Sequence, residues 1–253
     1  MSLGVRRRLL LNSLIGLALM LGWGVYGLPD FGQHLGHYAA MLNELAVPER
    51  HVTNVVTAVN FDYRALDTMG EEFILFAAVV GVALLLRAQR VEREQQADDE
   101  APGREVPETS DAVRVTGLWL IGFTILLGFY IVLHGQLTPG GGFQGGVILA
   151  TALLLVYLAG EHALFQRFTP MAVIHAAESM GVGGYVAIGM GGVLIGASFL
   201  QNMVPLGQTG RIYAGGMIPL VNLAVALAVT AGFVLLLADF IEQTLVLRLR
   251  RKR

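Results

Sequence analysis

Thr138-Pro139-Gly140-Gly141-Gly142-Phe143-Gln144-Gly145-Gly146 interrupts an otherwise apolar length of chain. An uncharged run over residues 115–133 precedes it, and a second apolar run over 147–160 follows. Glycine permits close backbone approach and unusual torsions, whereas proline breaks the helical hydrogen-bond ladder behind it. In lipid, such irregular backbone is tolerated only where protein or a wet cavity surrounds it. The stretch therefore predicts a bend or a partly unwound helix start, packed deep against neighbours. Pro139, Gly140, Gly141, Gly142, Gly145 and Gly146 form its structural joint. Gly141 with Gly145, and Gly142 with Gly146, make small-xxx-small pairs suited to close helix contact.

Working outward, composition agrees with a membrane setting. Of 253 residues 55% are hydrophobic and 14% charged, against about 25% charged in a soluble domain. The chain has no cysteine, which excludes disulfides, thiolate metal sites, iron–sulfur clusters and cysteine nucleophiles. No cofactor is expected. Gly140–Gly145 satisfies G-x-G-x-x-G literally, but no strand precedes it and no acidic ribose partner follows, so nucleotide binding is rejected. The net charge of −2 gives no argument for nucleic acid.

A spanning helix needs about 20 largely apolar residues. Runs over 9–28, 115–133, 142–160, 179–200 and 215–238 meet that requirement. The run 73–86 is too short unless 66–72 joins it or Arg87 and Arg90 snorkel at its other end. The fold class expected is an all-α integral membrane protein with about six transmembrane helices. The first run is read as an uncleaved span, not a signal peptide. Fourteen of the 17 Lys and Arg fall on one side of this arrangement, which places both termini in the cytoplasm. The terminal Arg248–Arg253 cluster would fix topology and touch anionic lipid. Residues 88–113, with Asp98, Asp99 and Glu100, read as a solvated linker. The linker divides a two-helix module, 1–87, from a four-helix module, 114–253. The segment 29–65 mixes apolar residues with His and Pro, and it is expected to be ordered against other structure.

Asp62-Tyr63-Arg64-Ala65-Leu66-Asp67-Thr68-Met69-Gly70-Glu71-Glu72 leads into the short run. In a continuous helix, Arg64, Asp67, Thr68 and Glu71 fall on one face at spacings of three and four. Ionisable groups below the membrane surface mark ion pathways, and these four are the candidate ion path. Thr68 with Glu71 also satisfies a capping box, and both readings stand on the sequence. Glu72 points elsewhere and is assigned to the interface. Near the joint, His134, Gln144 and Asn222 are candidates for a polar or proton-handling cavity. Pro219 is expected to bend the last span. His175 and Glu178, three apart ahead of the fifth span, are read as an interfacial pair in preference to a proton relay, and Glu161 and His162 as solvated.

Thr53-Asn54-Val55-Val56-Thr57-Ala58-Val59, followed by the 62–71 motif, resembles the C-terminal end of the large A-type subunit of Mrp-type multisubunit cation/proton antiporters. It is equally similar to the small E-type subunit of membrane-bound hydrogenases. Ala65 and Leu66 stand where a glycine and an aromatic residue are usual. His134-Gly135-Gln136-Leu137 with the joint resembles the signature of the B-type (MnhB/MrpB-like) antiporter subunit, although Asn222 stands where an acidic residue is expected. The resemblance implies a fusion of both modules in a membrane subunit of a Na⁺/H⁺ antiporter. Its partners would be other subunits, Na⁺ and H⁺, and the lipid of a prokaryotic inner membrane. A complex-I-related or hydrogenase-type assembly and a purely structural scaffold are the alternatives. Redox catalysis, if any, would reside on other chains.

Overall fold

The computed structural model describes residues 3–28, 36–95 and 109–251. Among them the regular structure is helical, with no strand. In chain order the elements are α1 (Leu3–Tyr26), α2 (His37–Arg50), α3 (Val55–Ala58), a π-helical turn (Val59–Tyr63), α4 (Ala65–Gln95), α5 (Asp111–Leu133), α6 (Gly142–Phe168), α7 (Met171–Leu194) and α8 (Ile218–Arg251). Six helices are long and apolar enough to cross a membrane: Arg7–Tyr26, Ala65–Leu86, Asp111–Leu133, Gly142–Gly160, Met171–Leu194 and Ile218–Ile241. The expected number of spans is present.

The chain forms two compact units, Met1–Met41 and Leu42–Arg253. The first carries α1, a single 24-residue helix. In the second, α8 is the central element. It packs against α4, α5, α6 and α7, and α5 pairs along its length with α6. Small residues on α8, such as Ala226, Ala228 and Ala231, let its neighbours approach, while Val221, Val225 and Val229 fill the core with Tyr185, Phe61 and Ile218. Outward faces of α4 and α5 keep large apolar side chains exposed, among them Ile74, Leu85, Trp119 and Leu126, as a bilayer or a neighbouring protein would require.

One alternative is decided and three expectations need adjustment. The short second run does recruit the acidic segment before it, since α4 starts at Ala65. Part of the linker is helical: α4 continues to Gln95, and Ser110 caps α5 through the Val113 amide. The fifth span begins at Met171, not 179, because Pro170 provides the break and the polar residues after it are carried inside the helix. Pro219 does not bend the last span. It occupies the second position of α8, where a missing amide hydrogen has no intrahelical partner to lose.

Of the segment 29–65, the stretch 42–65 packs into the chain's own core. Ala46 and Val52 are fully buried, and His51, at φ 58°, ends α2 with its ring Nδ1 2.7 Å from the Gly207 carbonyl oxygen. Linker residues 96–108, with Asp98, Asp99, Glu100 and Arg104, lie outside the described residues, as do 29–35 with His34, and Lys252 and Arg253. The side chains of Arg6, Arg87, Arg90, Glu161, His162, Arg248, Arg250 and Arg251 lie outside them too.

Candidate functional site

The glycine joint is a short extended connection between α5 and α6. Gly140 (φ 155°) and Gly141 (φ 151°) hold torsions that a side chain disfavours, and α6 starts directly at Gly142. The next glycines serve contact. A Cβ on Gly142 would enter the Asn222 carbonyl, one on Gly146 would stand 2.9 Å from Val229 Cβ, and one on Gly145 would strike Val132 and the Gly128 carbonyl. Gly142 and Gly146 therefore seat α6 on α8, while Gly145 seats it on α5. Gly141, Gly142, Gly145 and Gly146 are buried in this packing, whereas Pro139 is exposed.

Asn222 ties the joint together. Its side chain is fully buried; Oδ1 accepts from the Gly142 amide and Nδ2 donates to the Val132 carbonyl oxygen at 2.7 Å. One amide thus satisfies an orphan donor at the start of α6 and adds a second hydrogen bond to the Val132 carbonyl oxygen at the end of α5, which also accepts from the Gly135 amide. Gln136, also fully buried, donates to the carbonyl oxygens of Leu133 and Ile212. His134 stacks on Tyr130, 4.3 Å between ring centroids, and its Nδ1 bonds the Tyr130 carbonyl.

The Thr53–Thr57 motif docks onto this joint from the far end of the chain. Asn54 caps α3 and directs Nδ2 at the carbonyl oxygens of Gly135 and Thr138, at 2.8 and 2.9 Å. The Thr57 hydroxyl donates to the same Gly135 oxygen at 2.7 Å, and the Thr53 hydroxyl to Leu137 at 2.6 Å. The two motifs singled out in the sequence are therefore hydrogen-bonded to each other.

Beside this clamp lies a cavity of about 490 Å³ lined by Asn60, Thr68, Glu71, Gly140, Gly141, Gln144 and apolar side chains of α4 and α8. It brings Glu71 and Thr68 of the ion-path candidates together with Gln144 of the joint. The Thr68 hydroxyl donates to the Asn60 carbonyl at 2.8 Å. Thr68 sits inside the first turn of α4, three residues past its start, so it does not cap the helix, and the capping-box reading is set aside. Arg64 and Asp67 stand apart from the cavity as an exposed ion pair at 2.5 Å. His134 and Asn222 do not line it. Glu72 differs most from expectation: it is 2% exposed, and neither carboxylate oxygen has a hydrogen-bond partner. A turn of 100° per residue sends Glu71 into the cavity and Glu72 into the helix packing.

Sequence reasoning missed a polar cluster ahead of α4. Arg50 Nε lies 2.6 Å from Asp62 Oδ1, its guanidinium lies 4.8 Å from the Tyr63 ring centroid, and the Tyr63 hydroxyl donates to Glu49 at 2.7 Å. Burial raises the Asp62 carboxyl above its ordinary range, and Arg50 pulls it back only in part. Burial and the Glu49 bond push the Tyr63 phenol up to about 12. Asp62 and Tyr63 were visible as motif residues, but a partner twelve positions upstream leaves no helical spacing to find.

Six long apolar helices among the described residues, with buried irregular backbone between α5 and α6 and acidic side chains in and beside cavities, define a multi-pass membrane protein. Residues 112–235 match the family described as a domain related to the MnhB subunit of Na⁺/H⁺ antiporter. An uncharacterised protein of Methanocaldococcus jannaschii is 30% identical over 88% of this chain and 90% of its own length. The B-type subunit of the Na⁺/H⁺ antiporter of Bacillus subtilis is 36% identical over 38% of this chain and 66% of its own. A chain of the membrane-bound sulfane sulfur reductase, an archaeal respiratory membrane complex, superposes with TM-score 0.67 at 31% identity, over 94% of this chain and 98% of that one. A chain of the Mrp complex from Dietzia sp. superposes with TM-score 0.69 at 25% identity, over 92% of this chain but 26% of that one. The chain carries an MnhB-related domain over residues 112–235.

Proposed function

We propose that this protein is a membrane subunit of a multisubunit monovalent cation/proton antiporter, and that the Glu71 cavity is its contribution to the ion path. The observation that carries this reading is that one cavity joins Glu71 and Thr68 to Gln144 and the glycine joint. Glycines there leave backbone and space beside a carboxylate that a cation or proton can use. Arg64 and Asp67 act outside the cavity, as a charged pair at the entrance of α4. The chain has the content of a fused pair, an A-type end joined to a B-type bundle, and the Asn54 and Thr57 clamp supports that view. The bias of basic residues supports cytoplasmic termini, in the inner membrane of a prokaryote. Other subunits supply the main transport machinery; this chain adds a site and packing surfaces, not catalysis.

A second reading places the same module in a redox-driven respiratory assembly. Near-complete mutual coverage with the sulfane sulfur reductase chain favours it, whereas the Mrp chain is far longer. Co-purification of the intact complex and identification of its companions separates the two. The site itself is tested with Glu71→Gln in a strain dependent on cation extrusion. The expected result is loss of growth at high cation concentration and at least about a tenfold loss of exchange in vesicles, with the complex still assembled. Unchanged exchange would remove Glu71 from the path.

A further inference from the structure

A second cavity, of about 420 Å³, opens between α4, α7 and α8 at the end of the bundle away from the joint. His175, Glu178 and Ser179 of α7 and Asp239 of α8 line it, with Phe76, Val79 and Ala83 of α4 opposite. The early start of α7 is what brings Glu178 here. It lies two turns inside the helix, 5% exposed, and its Oε1 has no hydrogen-bond partner. Gly232 makes the room: a Cβ built there would lie 3.8 Å from Glu178 Oε1, 3.8 Å from Leu75 and 3.4 Å from Val79. Glu178 therefore reaches α4 at the level of Leu75 and Val79.

Glu72 lies one turn from Leu75, about 4.5 Å along the axis, with both oxygens unpartnered. Two turns further back, the Tyr185 hydroxyl donates to the Ala65 carbonyl at 2.8 Å. Ala65 and Leu66 also line a wide cavity at the opposite end, with Arg50, Asp62 and Arg64. Tyr185, Glu72 and Glu178 are thus ordered along α4 between two cavities. The titratable groups facing the pair are Glu71 and Tyr185 from the middle of the bundle and His175 and Asp239 from the cavity. No Lys or Arg lines the Glu178 cavity among the described residues. A bare carboxylate in such surroundings is expensive, so each acid calls for a water, a cation or a proton beside it.

We propose that the α4–α7–α8 cavity is a proton-entry site separate from the Glu71 cavity, at which Glu178 receives protons and Glu72 stands next in line. The step is a proton transfer. A hydronium O–H bond breaks in the cavity, an O–H bond forms on Glu178, water remains, and no electron moves. Relay to Glu72 repeats the exchange between two carboxyl groups. The role of this site in transport rests on the ion-translocating reading above; its capacity to exchange protons does not.

The test is carbodiimide labelling of the intact complex in native membranes, followed by mass spectrometry of this chain. The reagent adds to protonated carboxyl groups in apolar surroundings and leaves a stable acylurea. Glu178 should be labelled, decreasingly so as pH rises, and Glu178→Gln should abolish that adduct. No adduct on Glu178 at any pH, or one indifferent to pH, would overturn the proposal. In vesicles, Glu178→Gln and Glu72→Gln should each lower proton-coupled exchange at least tenfold with assembly intact, and unchanged exchange in both would also overturn it. If wild-type vesicles show no cation/proton exchange, the antiporter reading fails, and the labelling still decides whether Glu178 exchanges protons. If a variant does not assemble, wild-type labelling decides alone.

Discussion

Asn222 on α8 accepts a hydrogen bond from the backbone amide of Gly142, the first residue of α6, while its own amide hydrogen goes to Val132 at the end of α5. Three helices meet at one fully buried side chain. Asn222→Ala leaves the buried Gly142 amide without a partner, at about 1–3 kcal/mol, while the Val132 carbonyl oxygen keeps the Gly135 amide. The expected outcome is a clear fall in the thermal midpoint of the purified complex and poorer retention of this chain. Asn222→Asp keeps the acceptor for Gly142 but sets a carboxylate against the Val132 carbonyl, so it should restore only part of the loss.

Glycines in this chain are not equivalent, and alanine distinguishes them. Gly142→Ala would drive a methyl group into α8 backbone at Asn222 and Ala226, whereas a Cβ at Gly183 on α7 meets nothing within 4 Å. Overpacking costs about 1–3 kcal/mol, and alanine in an open helical position gains up to about 1 kcal/mol over glycine. Thermal melting should therefore show Gly142→Ala destabilised and Gly183→Ala neutral or slightly stabilised.

The Arg50–Asp62 pair gives a pH dependence with a defined sign. Asp62 already lies above its ordinary range because of burial, with Arg50 opposing that shift. Arg50→Gln removes the opposition, so the folded-state value moves further above the unfolded one. Stability from a carboxyl raised in this way is present below the unfolded value and is lost as pH rises through the folded value. Melting of Arg50→Gln should thus fall relative to wild type as pH increases across that window. Adding Asp62→Asn should flatten the profile.

The spans and the joint were legible because apolar runs and a glycine cluster are local signals. The start of α7 was not, since His175, Glu178 and Ser179 interrupt the apolar run and only packing against α4 and α8 shows that they lie within a helix. Helical spacing separated Glu71 from Glu72 in the sequence, but it did not show that Glu72 is buried. Which of them met a cavity and which met helix packing depended on neighbours more than sixty positions away. The bonds from Asn54 and Thr57 to Gly135 span about eighty residues and follow no period. Pro219 misled because its effect depends on where the helix begins, a boundary set by the loop before it.

The clasp of Thr53, Asn54 and Thr57 on the turn after α5 has an evolutionary consequence. Backbone carbonyl oxygens on the receiving side need no matching side chains, so the turn could diverge while Thr53, Asn54 and Thr57 kept the grip. Genes encoding the halves separately would yield polypeptides that still recognise each other, and a merged gene would gain equal dosage without redesigning the contact.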